Sequence, residues 1–126
     1  MIIGVGIDTV LTSRFEQHLT RKNQALLDRL FTPEEQAYCL GKATAADCLA
    51  ARFAVKEAFL KALGTGLRNG VSWCEMSVIH DELGKPLLIV SGVAASVMAQ
   101  RGATNIHLSI SHDGGHAVAL VVLEGS

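Results

Sequence analysis

Three side chains have the types and spacing for phosphate chemistry. Asp8 sits toward the end of the apolar run Ile2–Val10, where a lone carboxylate is costly to bury without a partner. It reads either as a turn residue bonding its own backbone or as a metal ligand held at the end of a strand. Glu57 and Lys61 lie four residues apart in Thr44–Leu63. At about 100° per residue they fall roughly 40° apart on one helical stripe, beside a stripe carrying Arg52 and Lys56. One reading is a surface ion pair, worth about 0.2–0.5 kcal/mol. The other is a second carboxylate for a hard cation, with Lys61 as a positive charge beside phosphates. One or two carboxylates plus substrate phosphates is the usual way to hold Mg²⁺.

Other signals fall short of a motif. Gly4-Val5-Gly6-Ile7-Asp8-Thr9 begins like a dinucleotide fingerprint, but Thr9 occupies the third glycine position. Gly41-Lys42-Ala43 lacks the preceding glycine and the Ser/Thr of a P-loop. His107, His112 and His116 gather near the last predicted hairpin, yet no cysteine is close in sequence to complete a zinc site. Cys39, Cys48 and Cys74 are odd in number and widely spaced, and they read as reduced thiols of a cytosolic protein.

These side chains need elements to carry them. The chain has 126 residues, 49 % apolar and 18 % charged, with a formal net charge of −1. That balance suits one globular domain over 1–126 and excludes a disordered chain. It lacks the basic excess common in nucleic-acid binders. No apolar run approaches a membrane span, and the N-terminus does not look like a signal peptide. The expected compartment is the cytoplasm.

Ile2–Val10 predicts a buried strand. Thr12 or Ser13 is expected to cap a helix through about Leu19, exposing Arg14, His18, Arg21 and Lys22. A second helix is expected over Gln24–Leu30. Thr32-Pro33-Glu34-Glu35 is a capping box with proline at the first helical position, starting a helix that Gly41 stops after about Leu40. Thr44–Leu63 is alanine-rich, free of Gly and Pro, and predicts one long helix ended by Gly64 and Gly66.

The second half predicts strands over Glu75–Asp81, Leu87–Val90, Asn105–Ser111 and His116–Leu123. Gly92–Gln100 is a helix between the second and third of these, with Ser91 as its cap. A turn over His112–Gly115 closes the last hairpin. The fold class is α+β: a mostly antiparallel sheet, from the second half plus strand one, wrapped by helices that include the long one.

The whole pattern resembles one family. Gly4-x-Gly6-x-Asp8 is followed by Leu30-Phe31-Thr32-x-x-Glu35-x-x-Tyr38. Then come Arg52-Phe53-x-x-Lys56-Glu57-Ala58-x-x-Lys61-Ala62-x-Gly64 and Ser109-Ile110-Ser111-His112. Across essentially its full length the chain is similar to the holo-[acyl-carrier-protein] synthases, the short form of 4′-phosphopantetheinyl transferase. The resemblance implies transfer of phosphopantetheine from coenzyme A to a serine of apo acyl carrier protein, for fatty acid biosynthesis. Adenosine 3′,5′-bisphosphate would be released, with Mg²⁺ required. It implies a homotrimer with sites at subunit interfaces, and neither nucleic acid nor membrane as partner.

By that resemblance Asp8 and Glu57 are metal ligands, and Glu57 and Lys61 are catalytic. Arg52, Lys61, Gly64 and His112 meet coenzyme A, and Arg14 and Arg21 meet the acidic carrier protein. The base that takes the serine proton is left open among Glu57, Lys61 and metal-bound water. Two departures stand out: Val10 replaces the second acid of longer relatives, and Asp113-Gly114-Gly115 differs from the usual turn after the histidine. A non-catalytic carrier-protein or coenzyme A binding module on the same fold is the rival reading.

Overall fold

The computed structural model describes residues 1–68 and 70–126. β1 (Ile2–Leu11) leads into α1 (Thr12–Thr20), α2 (Gln24–Leu30), α3 (Pro33–Leu40) and the long α4 (Ala45–Leu63). A 3₁₀ turn (Trp73–Glu75) precedes β2 (Met76–His80) and β3 (Pro86–Val90). α5 (Gly92–Gln100), β4 (Ala103–Asp113) and β5 (His116–Gly125) complete the chain. The sheet is antiparallel, as expected, but divided: β1-β5-β4 form one sheet and β2-β3 a separate hairpin.

α4 is the centre of the molecule. Thirteen of its 19 residues are buried, on every side of the helix, which is the pattern of a core helix rather than a surface one. Its sheet-facing side meets the inward residues of β5 (Ala117, Ala119, Val121 and Leu123), all fully buried. Gly4 and Gly6 bring β1 in still closer. A Cβ at Gly6 would stand 1.9 Å from the Ala58 carbonyl oxygen, and one at Gly4 2.0 Å from that of Ala62. The Gly-x-Gly pair therefore serves strand–helix contact, and the alanines of α4 make the other half of that fit.

Local signals define most of the other elements. Thr32 Oγ1 accepts the Glu35 N–H at 3.2 Å and Glu35 Oε1 accepts the Thr32 N–H at 3.0 Å, completing the expected capping box. Gly64 ends α4 with a left-handed φ of 79°.

The last hairpin is tighter than predicted. His112 and Asp113 belong to β4, opposite Ala117 and His116, which leaves Gly114 and Gly115 as a two-residue loop. Both glycines have positive φ, 57° and 78°, matching the twist of the strands. Two predicted caps are replaced. Neither Thr12 nor Ser13 caps α1; the Thr12 N–H instead donates to the Gly115 carbonyl at 2.9 Å. Ser91 makes no side-chain cap to α5. Glu75 does that from the 3₁₀ turn, its Oε2 accepting the Val93 N–H at 2.8 Å and its Oε1 the Ala94 N–H at 3.4 Å. Hydrogen bonds from the Ser72 and Val93 backbones hold its carboxyl below the ordinary range.

The cysteine expectation is overturned for two of three. Cys39, in the last turn of α3, and Cys48, in the first turns of α4, are joined as a disulfide with Cα atoms 5.4 Å apart. Gly41–Thr44 folds α3 back onto α4, so nine residues of separation become a contact that sequence spacing does not reveal. Cys74 is the free thiol.

Lys56 and Glu35 lock α4 in rotation. Both side chains are fully buried, 2.6 Å apart. The ammonium also donates to the carbonyls of Leu30 (2.7 Å) and Trp73 (3.3 Å). Glu35 Oε2 accepts the Val78 N–H at 3.0 Å. Burial pulls the Lys56 pKa down and the Glu35 charge opposes it. Removing one partner of such a pair leaves a buried, uncompensated charge, typically at a cost of about 3–5 kcal/mol. Lys56→Met should therefore shift the urea midpoint sharply downward, while Lys56→Met/Glu35→Gln should recover a large part of the loss. A double variant no more stable than the single would mean that packing, not charge, dominates here.

Candidate active site

Alternation along β1 turns Gly6, Asp8 and Val10 toward α4. The glycine approach then sets Asp8 against the last turns of that helix. Lys61 Nζ donates to Asp8 Oδ1 at 3.0 Å and to the Ile7 carbonyl at 2.9 Å. The Asp8 side chain is only 16 % exposed, whereas Lys61 is 54 % exposed. The helical Glu57–Lys61 ion pair read from the spacing does not form: Lys61 reaches across to the strand instead.

Glu57 is half-buried, and its side chain makes no hydrogen bond or ion pair to another described residue. Burial raises its pKa, and the Asp8 charge raises it further, while Lys61 and Arg14 oppose them. Glu57, Leu60, Lys61, Gly64, Gly66, Leu67 and Trp73 line a cleft of about 500 Å³.

Arg14 lies near this cleft. Its guanidinium rests 5.6 Å from the centre of the Phe53 ring and its charge is felt at Glu57. Arg21 is exposed at the C-terminal end of α1.

Arg52 and His112 occupy a different place. With Tyr38, Lys42, Asp47, His80 and others they line a second pocket of about 340 Å³. Arg52 is almost wholly buried, its Nη1 donating to Cys48 Sγ at 3.3 Å and its Nη2 to His80 Nδ1 at 3.4 Å. Five residues along a helix turn the side chain by about 140°, so α4 presents Arg52 and Glu57 on different sides. Of the predicted site residues, Asp8, Glu57, Lys61 and Gly64 are gathered in one protomer; Arg52 and His112 form a second group.

Sequence reasoning missed Tyr38 and His80 as neighbours of Arg52. It also missed that Lys56 is buried, although Val55, Ala58 and Phe59 surround it in sequence. The histidine cluster holds no metal set: among the described residues no three His, Cys, Asp or Glu side chains converge on one point. His107 Nε2 meets Glu124 Oε1 at 2.9 Å, and His116 Nδ1 meets the Gly114 carbonyl at 3.2 Å.

The carboxylate pair fits a hard divalent cation. Glu57 is unpartnered and carries a proton affinity raised by burial and by Asp8, and a cation between the two would relieve that repulsion. Two protein oxygens leave the remaining positions to water and phosphate, as Mg²⁺ prefers.

Comparison with known proteins agrees with the fold. Residues 4–121 match the model of the 4′-phosphopantetheinyl transferase superfamily. The holo-[acyl-carrier-protein] synthase of Trichlorobacter lovleyi is 61 % identical over 124 residues, covering 98 % of both chains; that of Geotalea daltonii is 53 % identical over 98 % of this chain and 99 % of its own. The crystal structure of the Neisseria meningitidis holo-[acyl-carrier-protein] synthase superposes with a TM-score of 0.88 at 36 % identity, covering 98 % and 99 %. The Bacillus anthracis enzyme, solved in complex with CoA (3′,5′-ADP), gives 0.81 at 38 % identity, covering 100 % and 99 %. The chain belongs to the 4′-phosphopantetheinyl transferase superfamily.

The raised Glu57 pKa has a signed consequence. A carboxyl that binds its proton more tightly when folded than unfolded costs stability above the folded pKa, and the cost fades as pH falls through that value. Glu57→Gln should therefore raise the melting temperature at neutral pH and leave it nearly unchanged at a pH below the ordinary glutamate value. Any Mg²⁺-dependent rise in melting temperature should disappear in the same variant. Both effects are read by calorimetry across pH, and a lower neutral-pH Tm for Glu57→Gln would contradict the assignment.

Proposed function

We propose that this chain transfers the 4′-phosphopantetheine group of coenzyme A to a serine hydroxyl of an apo acyl carrier protein, acting as one domain in the cytoplasm in support of fatty acid synthesis. The observation that carries the reading is the Asp8–Glu57–Lys61 cluster, held together by β1 and α4, in a chain 61 % identical to a holo-[acyl-carrier-protein] synthase. No described helix is long and apolar enough to cross a membrane.

The reaction asks mainly for positioning and charge stabilisation. The serine oxygen attacks the pantetheine-side phosphorus of the pyrophosphate. The bond to the bridging oxygen breaks, and adenosine 3′,5′-bisphosphate leaves with that oxygen's negative charge. Asp8 and Glu57 would hold Mg²⁺, which supplies charge neutralisation at the pyrophosphate. Lys61 adds a compact positive charge from the same cleft, and Gly64 leaves room for the chain of the substrate. The serine proton would be taken within the same cleft, where Glu57, Lys61 and a water beside the cation are the acceptors on offer. Arg14, beside Glu57, and Arg21, farther along α1, present positive charge to an acidic carrier protein, favouring encounter at low ionic strength.

Arg52 and His112 serve the nucleotide part of coenzyme A. Their separation from the carboxylates within one protomer favours a homotrimer in which neighbouring copies complete each site. The outer face of the β1-β5-β4 sheet supports this, since Val5 and Ile7 are each 57 % exposed and lie beside the exposed Leu120.

Intact-mass analysis of apo carrier protein with this chain, coenzyme A and Mg²⁺ tests the proposal. The carrier should gain one phosphopantetheine; coenzyme A binding without mass gain would favour a non-catalytic binding module. Lys61→Ala should lower kcat by roughly 10²–10³-fold, the magnitude of removing one transition-state charge contact. Sedimentation should give a trimer at working concentration, and an active monomer would remove the shared-site reading.

A further inference from the structure

The two ends of α3 are tied to α4 by different chemistry. Glu35, in its first turn, is bonded to Lys56, and both side chains are sealed from water. Cys39, in its last turn, is joined to Cys48. That second tie is open on one side. Cys39 is fully buried, but Cys48 is half-buried and lines the 340 Å³ pocket. A soluble thiol therefore reaches the bond at Cys48 Sγ, and Glu35–Lys56 would still hold the rest of α3 once the bond is cut.

Cutting it changes two things at Arg52. Arg52 is 3 % exposed and has no ion pair with a described carboxylate. Its Nη1 donates to Cys48 Sγ at 3.3 Å, and its buried Nε has no hydrogen-bond partner. A disulfide sulfur gives the guanidinium a weak acceptor but no charge. A freed Cys48 would give it one, because a neighbouring guanidinium and the N-terminal turns of a helix both favour thiolate. Lys42, on the wall of the same pocket, acts in that sense too, and Asp47, the carboxylate lining it, opposes; Tyr38, His80 and His112 are the other titratable groups there. The second change is in fastening. Tyr38, next to Cys39, has its ring centre 4.5 Å from the Arg52 guanidinium and stacks on His80 with ring centres 5.0 Å apart. Without the bond, the end of α3 that carries Tyr38 loses its covalent hold on α4.

We propose that Cys39–Cys48 is a thiol-redox switch: reduction by a dithiol hands Arg52 an internal anion and weakens the chain's hold on a phosphate-bearing nucleotide, and oxidation frees the guanidinium. This rests on the transferase reading above, in which Arg52 serves the nucleotide part of coenzyme A. A thiolate of the reductant attacks Cys48 Sγ, the bond to Cys39 breaks, and Cys39 leaves as a thiolate that takes up a proton. The reductant's second thiol then displaces Cys48 as thiolate and closes to a disulfide, so two electrons pass from the dithiol to the cystine. A small-molecule disulfide reverses both steps. In a reducing compartment, disulfides that do form are usually transient and serve catalysis or redox sensing.

Calorimetry with adenosine 3′,5′-bisphosphate on the full chain, oxidised and then reduced by dithiothreitol, tests this. Iodoacetamide labelling after denaturation, read by intact mass, fixes the state: one label on the oxidised chain, at Cys74, and three on the reduced one. The reduced chain should bind about tenfold more weakly, the scale of one charge-assisted contact. Cys39→Ala should show that weaker binding with or without dithiothreitol. Cys48→Ala, which has neither the bond nor the thiolate, should bind more tightly than Cys39→Ala. Cys74→Ser should keep the full response. Equal affinity in the two states would overturn the inference, as would a folded chain that dithiothreitol fails to reduce or a response that persists in Cys39→Ala. Cys48→Ala binding no better than Cys39→Ala would overturn the exchange of counter-ions. The mass-gain assay reads the transferase proposal separately: absent transfer with redox-dependent binding sinks that proposal alone, and intact transfer with equal affinity in both states sinks only this one.

Discussion

A lysine ammonium sealed from water, with each of its protons directed at a protein oxygen, fixes the rest of this molecule. Lys56 reaches Glu35, the Leu30 carbonyl and the Trp73 carbonyl. Through Glu35 it is linked to the start of α3 and to β2. One charge pair thus binds the end of α2, the start of α3, the 3₁₀ turn and β2 to the middle of α4. Apolar packing around an alanine-rich helix tolerates small rotations. A buried charge with directional partners does not, because any slip leaves a desolvated ion without its bonds. The phase of Arg52, one turn earlier, and of Glu57, the next residue, follows from that constraint.

Legibility in the sequence followed the range of the interaction. The Thr32–Glu35 capping box, the span of α4 and the closing hairpin are written in residues near one another, and all are present. Asp8, Glu57 and Lys61 were legible as types, and through resemblance as a group, but not as geometry. Lys61 looked like the helical partner of Glu57 and is instead bonded to a strand more than fifty residues away. The Cys39–Cys48 bond, the Tyr38–His80 stack and the burial of Lys56 share that difficulty. Each depends on what a neighbouring element brings to a face, and periodicity describes only the element itself. Glu75 shows it most clearly, since the helix it caps begins seventeen residues after it.

Glu57 illustrates the tension between folding and chemistry. A half-buried carboxylate facing a second carboxylate is a poor choice for stability, and nothing in the packing requires it. The surrounding structure holds it there nonetheless, with Lys61 and Arg14 moderating the repulsion. Glu35, by contrast, is an acid more deeply buried but fully bonded. The difference in bonding, rather than in burial, separates a carboxylate that serves the fold from one left available to a ligand.

β1 has no neutral side. Its inward positions carry the glycines that admit α4 and the aspartate beside Lys61; its outward positions carry Val5 and Ile7, exposed on the open sheet face. The strand is therefore read twice along the same few residues, once by the interior and once by the surface. A one-residue insertion would exchange the two sets, moving carboxylate and glycines outward and bulky side chains against the Ala58 and Ala62 carbonyls. Length is therefore as constrained as the identity of the inward residues, and substitution in this segment is free only at its outward positions.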